Sequence, residues 1–432
     1  MSKGLKSPSI VLAALLAGVS IASAQDVPPA APVETVPVEA TAQAVPVAPV
    51  ARPAESASIS VGGTKVSLYG FFQLNGIYED GANGGQNWST YVKPNAEDGE
   101  GRLLLNVNQT RIGVNVAGPP KESGAEISGR FESDFANSND KRYANGNTSG
   151  ASSFRIRQAF GQLKFNDIGL SLLFGQTSDV IAPLVAPSLN QGALQGQGSL
   201  GTRRPMVRLA QALGPVEITA AATDNRDIAS PTLPAFQGSL KGKLPASWAG
   251  EKQNIELILS GHYASRELAA ETKAEKEAKK AADDPASSWS GTASLSLPVI
   301  SVINLSGELF YGQNLSSYNV GSIGQSGTAK DGKSGLQSLG GWGAANIKLP
   351  ANFALAGGVG IESIDKDREP AKGRIKNSVI FANLKYFVAE SAFVGLEYAN
   401  LSTDYVDNEG EKRETDSGKL NRVEFVFNYS FK

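Results

Sequence analysis

The sequence predicts an all-β protein: an antiparallel transmembrane β-barrel of about 16 strands with its third long loop folded into the lumen. Three observations predict it. The last strand-like run places Val423, Phe425, Phe427, Tyr429 and Phe431 on one face. Arg422, Glu424, Asn428 and Ser430 fall on the other face, with Val426 the exception. Strand-like runs recur from residue 66 to the end, and the links between them alternate short and long. Successive side chains of a strand point to opposite faces, so lipid outside and water inside select this alternation. An edge or core strand of a soluble β-sandwich shares it, but a sandwich has no reason to sort loop length by parity.

The elements follow in order. Lys3 and Lys6, the apolar run 10–21 and Ala22-Ser23-Ala24 read as a signal peptide over residues 1–24. The apolar run is too short for a membrane-spanning helix. Residues 25–58 are mostly Ala, Pro and Val with a few Glu, and read as an extended periplasmic linker. Its plainest role is a tether; cell-wall contact is the partner open to it. Residues 59–432 are assigned to the barrel.

Within it the strand-like runs are 66–78, 102–116, 125–135, 154–165, 169–177, 203–213, 216–223 and 236–244. They continue at 255–263, 289–297, 302–313, 340–349, 353–363, 377–388, 392–402 and 421–431. The short links are 117–124, 166–168, 214–215, 245–254, 298–301, 350–352 and 389–391. The long ones are 79–101, 136–153, 178–202, 224–235, 264–288, 314–339, 364–376 and 403–420. An even-stranded barrel with both termini on the turn side has this order of links. Bacterial outer-membrane barrels have short periplasmic turns and longer outer loops. Residues 266–284 are rich in Ala, Glu and Lys, which fits either a short solvated helix or a flexible charged loop.

Composition narrows the chemistry. The chain has 432 residues and a net charge of -2, so nothing draws it to nucleic acid. It has no cysteine and one histidine, His262. A disulfide scaffold and a thiolate nucleophile are excluded, and a histidine-based metal or triad site has only that residue to use. No cofactor, no metal and no enzymatic activity are expected.

If the apolar faces meet lipid, the opposite faces line a lumen. There the second, third, fourth and sixth runs carry Arg111, Arg130, Arg155, Arg157, Arg204 and Arg208. Glu126, Glu132 and Asp134 share the inner face of the third run, and Glu217, Glu308, Glu397 and Glu424 lie inward elsewhere, all open to pairing with the arginines. A row of guanidinium groups draws anions and offers bidentate bonds to carboxylate or phosphate. The competing reading is that the arginines only neutralise the inner acids. Loop 178–202 carries Val180, Ile181, Leu184, Val185 and Leu189, more apolar residues than a loop in water needs. They are expected to pack on the inner wall, leaving Asp179, Asn190 and Gln191 toward the channel; covering a neighbouring subunit is the alternative.

At this point the chain resembles the trimeric 16-stranded outer-membrane porins. The resemblance runs from about Val66 to Phe431 and rests on the signal peptide, the loop parity, the long loop after Phe174-Gly175-Gln176-Thr177 and the aromatic last strand. The run Arg155-Ile156-Arg157-Gln158-Ala159-Phe160-Gly161 before Leu173-Phe174-Gly175-Gln176 looks like the subgroup passing dicarboxylates and other small anions. The subgroup's helical extension is replaced here by the Pro-rich linker, and Lys432 follows the terminal Phe431. The resemblance implies a homotrimer in outer-membrane lipid that passes small hydrophilic solutes, with anions favoured by the arginine wall. A structural barrel or adhesin anchored through the linker is the second reading.

Overall fold

The computed structural model describes residues 58–84, 89–94, 101–119, 124–136, 154–190, 192–226, 233–250, 252–265, 287–318, 323, 326–332, 334–408 and 414–432. The expected signal peptide, nearly all of the expected linker, Gln191 and the charged segment 266–284 lie outside the described residues.

The strands are β1 (Ser58–Val61), β2 (Thr64–Glu79), β3 (Arg102–Asn106), β4 (Arg111–Ala117), β5 (Ala125–Asp134) and β6 (Arg155–Phe165). Next come β7 (Leu170–Ser178), β8 (Arg203–Leu213), β9 (Val216–Thr223), β10 (Ala235–Pro245), β11 (Asn254–Ala264) and β12 (Ser288–Ile300). The last are β13 (Ile303–Gln313), β14 (Gln337–Leu349), β15 (Phe353–Ile364), β16 (Lys372–Ala389), β17 (Ala392–Asp407) and β18 (Glu414–Phe431).

Chain neighbours pair antiparallel, except that β3 and β4 both pair with β2 and not with each other, and β18 closes the sheet on β2. The 18 strands fill 16 positions. β3 and β4 occupy one, pairing with successive stretches of β2. The break between them is bridged by Thr110, whose hydroxyl accepts from the Gln73 N–H at 3.1 Å. β1 folds back on Thr64–Ser67 through Gly62-Gly63 and takes up the edge of β2 beyond the end of β18. The closed barrel of 16 positions is the one the alternation and loop parity predict.

The faces are sorted as the sequence requires. On β18, Val423, Phe425, Phe427 and Tyr429 are exposed, while Arg422, Glu424, Val426 and Asn428 are buried. The same inversion recurs around the barrel, with exposed Phe131 beside buried Glu132 and exposed Leu309 beside buried Glu308. A sheet with water outside would hide its apolar face. This one shows apolar side chains outward and polar ones inward, the arrangement stable where the outer surface meets hydrocarbon. Open edges do not arise, because closure pairs the backbone groups of each strand.

One departure from strict alternation matters for the interior. β5 and β6 slip register between Glu132 and Ser133, leaving Arg157 as an extra residue in β6. A bulge of this kind re-aims side chains. Arg155 pairs with Asp134 on one side of it, and Gln158 and Phe160 pair with Glu132 and Arg130 on the other. Paired residues share a face, so Phe160 turns inward, where it packs against buried Leu173, Val180, Met206 and Ala221.

Candidate functional site

The inward face of β4, β5 and β6 gathers the arginines that the sequence singled out. Asp134 receives two bonds from Arg155, at 2.8 and 2.7 Å, and one from Arg157 at 2.8 Å. Glu132 receives Arg157 Nε at 2.8 Å and the Tyr69 hydroxyl at 3.0 Å, with Arg111 3.6 Å away. Arg130 donates to Asn115 Oδ1 at 2.8 Å and lies over the Tyr69 ring. Two carboxylates thus hold three guanidinium groups in a fixed row, a surplus of positive charge on that face. The forked geometry of arginine makes such pairs rigid.

Other predicted residues go elsewhere. Arg204 is 0% exposed. Its guanidinium meets Asp179 at 2.8 Å, donates to the carbonyls of Asp224 and Ser317, and lies 3.9 Å from the ring centre of Tyr318. Tyr318 in turn stacks on His262, whose ring nitrogens bond Ser290 and Ser288. Arg204 therefore belongs to a buried clamp at the root of segment 178–202. Arg208 is half-buried on the same face of β8 as Met206. Glu126 is exposed at the turn end and accepts from Asn166 at 2.7 Å.

The segment 178–202 is fastened at successive points along its length. Val180 N–H donates to Gln237 at 2.7 Å, Ala182 N–H to Ser260 at 3.3 Å and Leu184 N–H to Glu308 at 2.8 Å. Glu397 then accepts from the Ser188 hydroxyl and from the N–H groups of Leu189 and Asn190, at 2.7, 2.6 and 3.3 Å. Asn383 donates both to Glu397 and to the Pro187 carbonyl, each at 2.9 Å. Asn377 reaches the carbonyl of Gly196 at 2.7 Å. Asp179 and Asn190 are both spent in this framework, and both are buried. Glycines let the segment's backbone lie against the wall: a side chain at Gly360 would collide with the carbonyl oxygen of Gln197.

Apolar packing completes the attachment. Leu184, Ala186 and Leu194 join Trp342, Ala344, Val379, Phe381, Ala399, Leu401 and Leu420 of β14, β16, β17 and β18 in one buried cluster. Val92 of the first long loop belongs to it too, held by Thr403 at 2.8 Å and by the Tyr405 hydroxyl. Gln197 donates to the Ser89 carbonyl at 3.0 Å, so the two loops touch. Behind them Arg422 bridges Glu79 at 2.6 Å and Glu424 at 2.9 Å, all three buried.

Sequence reading missed these anchors. It placed Glu308 and Glu397 inside as possible partners for arginines, whereas Glu308 accepts from the Leu184 N–H, Ser294 and Trp342, and Glu397 from the Leu189 and Asn190 N–H groups, Ser188 and Asn383. It gave no inward role to the first long loop. The signal available was the apolar content of 178–202 together with inward Val379, Phe381 and Leu401, where a water-filled lumen would carry polar side chains.

No family model matches the chain, and no curated protein matches it in sequence. Solved structures do match in fold. The outer membrane channel DcaP of Acinetobacter baumannii aligns with a TM-score of 0.66 at 21% identity, over 86% of this chain and 99% of that one. OmpT, an outer membrane protein of Vibrio cholerae, aligns at 0.54 and 11% identity over 88% of this chain and 100% of its own. Salmonella typhi OmpF, in a complex with daunomycin, aligns at 0.53 and 11% identity over 87% and 100%. The fold is thus that of outer-membrane barrels of this size.

Proposed function

We propose that the protein is a passive channel of a bacterial outer membrane, admitting small hydrophilic solutes and favouring anions. The observation that carries this reading is the surplus of guanidinium groups on the inward face of β4–β6, where Arg111, Arg155 and Arg157 share only Glu132 and Asp134. Rows of arginine at a water-filled constriction lower the cost of an anion leaving bulk water. The inverted faces of the barrel and its likeness in fold to outer-membrane channels support the membrane setting.

In this reading the segment 178–202 folds into the lumen and narrows it, and the first long loop backs it. Their attachment to strands from β10 round to β18 leaves the passage on the side of the arginine row. Selectivity then comes from width and charge, with no chemical step. The porin resemblance adds a homotrimer, and the N-terminal linker serves as a periplasmic tether.

Planar-bilayer recordings in a salt gradient test the proposal. A reversal potential on the anion side is expected. A cation-side potential would remove the anion preference, and absence of any current would remove the channel itself.

A further inference from the structure

The arginine row on β4–β6 has a fourth cation beside it, on β8. Arg203 opens that strand, opposite Ser178 of β7. Carried two residues past its last pair, Ala159 with Gln176, the register of β6 and β7 sets Ser178 opposite Arg157. Only a serine then stands between the two arginines. Arg157, Arg155, Asp134 and Arg111 all act electrostatically on the Arg203 guanidinium. At the other end of the row, Arg111, Asp134 and Arg155 are cross-strand partners on one level of β4, β5 and β6.

Hydrogen bonding divides the four cations into two kinds. Arg155 and Arg157 spend donors on Asp134 and Glu132. Arg111 approaches Glu132 only to 3.6 Å, beyond hydrogen-bond length, and its arm lies against the Phe71 ring, 5.0 Å from the centre. Arg203 is half-buried and has neither a hydrogen bond nor an ion pair among the described residues. Four guanidinium groups and two carboxylates leave two positive charges uncancelled. Like charges held together repel, and arginine cannot shed its proton to relieve them. The cluster is therefore electrostatically incomplete, and a doubly charged anion completes it.

The shape of the idle groups narrows the anion. Arg111 and Arg203 each offer a planar fork of donors. A single carboxylate has oxygens for one fork and cancels one charge. A tetrahedral oxyanion carries both charges in one group and turns oxygens in several directions, so it can face two forks at once. We propose that Arg111 and Arg203 form a station for a compact tetrahedral dianion, sulfate or inorganic phosphate, with Arg155 and Arg157 as the charged backing between them. This deepens the channel reading by naming the anion class that the row retains, and rests on that reading only for the route of entry.

Isothermal titration calorimetry on the full chain, refolded in detergent micelles, tests the station with sulfate, inorganic phosphate and succinate. Sulfate is expected to bind saturably, and phosphate likewise at mildly alkaline pH, where it is doubly charged. Succinate, whose charges sit at its two ends, is expected to bind about tenfold more weakly. Arg203→Gln is expected to lose sulfate affinity by about tenfold or more, as its charge-assisted bonds disappear. Arg203→Lys keeps the charge without the fork and should fall between. Heat-modifiable gel mobility establishes that each variant barrel has formed; Arg203→Lys carries the test if Arg203→Gln does not fold. No saturable sulfate binding to the parent barrel would overturn the station. So would unchanged sulfate affinity in the formed Arg203 variants, succinate binding as tight as sulfate, or phosphate binding without sulfate binding. Conductance separates the two proposals: a conducting barrel without sulfate binding defeats the station, and a sulfate-binding barrel without conductance defeats the channel.

Discussion

Two walls of the same barrel interior use carboxylates in opposite ways. On β5, Glu132 and Asp134 accept from arginine side chains, and Arg111, Arg155 and Arg157 keep 27%, 25% and 15% of their side chains exposed. On β13 and β17, Glu308 and Glu397 are buried and accept from backbone N–H groups of segment 178–202. The first wall presents charge to solvent; the second fixes a piece of chain and hides it under an apolar cluster. Alternation determines that a glutamate faces inward. What that glutamate does is decided by what lies opposite it, a cation on its own sheet or a strand-less backbone in need of acceptors.

The largest effect should come from the anchoring wall. Glu397→Ala strands the Leu189 and Asn190 N–H groups and the Ser188 hydroxyl without their acceptor. Leaving buried donors unmatched costs about 1–3 kcal/mol each, partly relieved if water enters. A loss of about 3 kcal/mol in denaturant-monitored stability in micelles is expected. If the segment narrows the lumen, single-channel conductance should also rise. Glu397→Gln keeps one acceptor oxygen and should fall between the variant and the parent. Unchanged stability in the alanine variant would remove the anchoring role.

The arginine wall should respond in selectivity with less change in stability, and in both directions. Arg157→Ala removes one of three cations bound to Glu132 and Asp134, so the reversal potential should move toward the cation side. Asp134→Asn keeps the shape and removes one negative charge, so the potential should move further to the anion side. A unit charge about 8 Å from a solvated ion is worth roughly 0.5 kcal/mol, a change of about twofold in permeability ratio. Shifts of the same sign in the two variants would show that the row does not set selectivity.

This contrast also marks how much was legible in the sequence. The strand order and closure were, because a two-residue period is written directly into runs such as Val423 to Phe431. The inward position of Arg111, Arg130, Arg155 and Arg157 was legible for the same reason. The bulge at Arg157 was not: a single extra residue breaks parity without any composition signal, and it is what carries Phe160 inside. The fates of Asp179 and Arg204 were hidden too, since their pairing joins a loop root to a strand start. Glu308 and Glu397 read as acids for arginines because a backbone N–H leaves no trace in the residue code. Contacts made by side chains to backbone far along the chain are invisible to a period-based reading.

The smallest effect should come from a pair that belongs to neither wall. Lys372 and Asp407 meet at 2.6 Å between β16 and β17 near the long-loop end, with the lysine side chain 63% exposed. The distance is as short as that between Arg422 and Glu79, yet the setting differs. An exposed pair gains little in water and is screened by salt, so such pairs contribute about 0–1 kcal/mol. Lys372→Ala should therefore change stability by less than about 0.5 kcal/mol and leave the reversal potential in place. Raising the salt should erase what difference there is. A loss as large as that of Glu397→Ala would mean that ion-pair distance, rather than burial and the groups left unmatched, governs stability in this barrel. The contrast between the walls would then need a different cause.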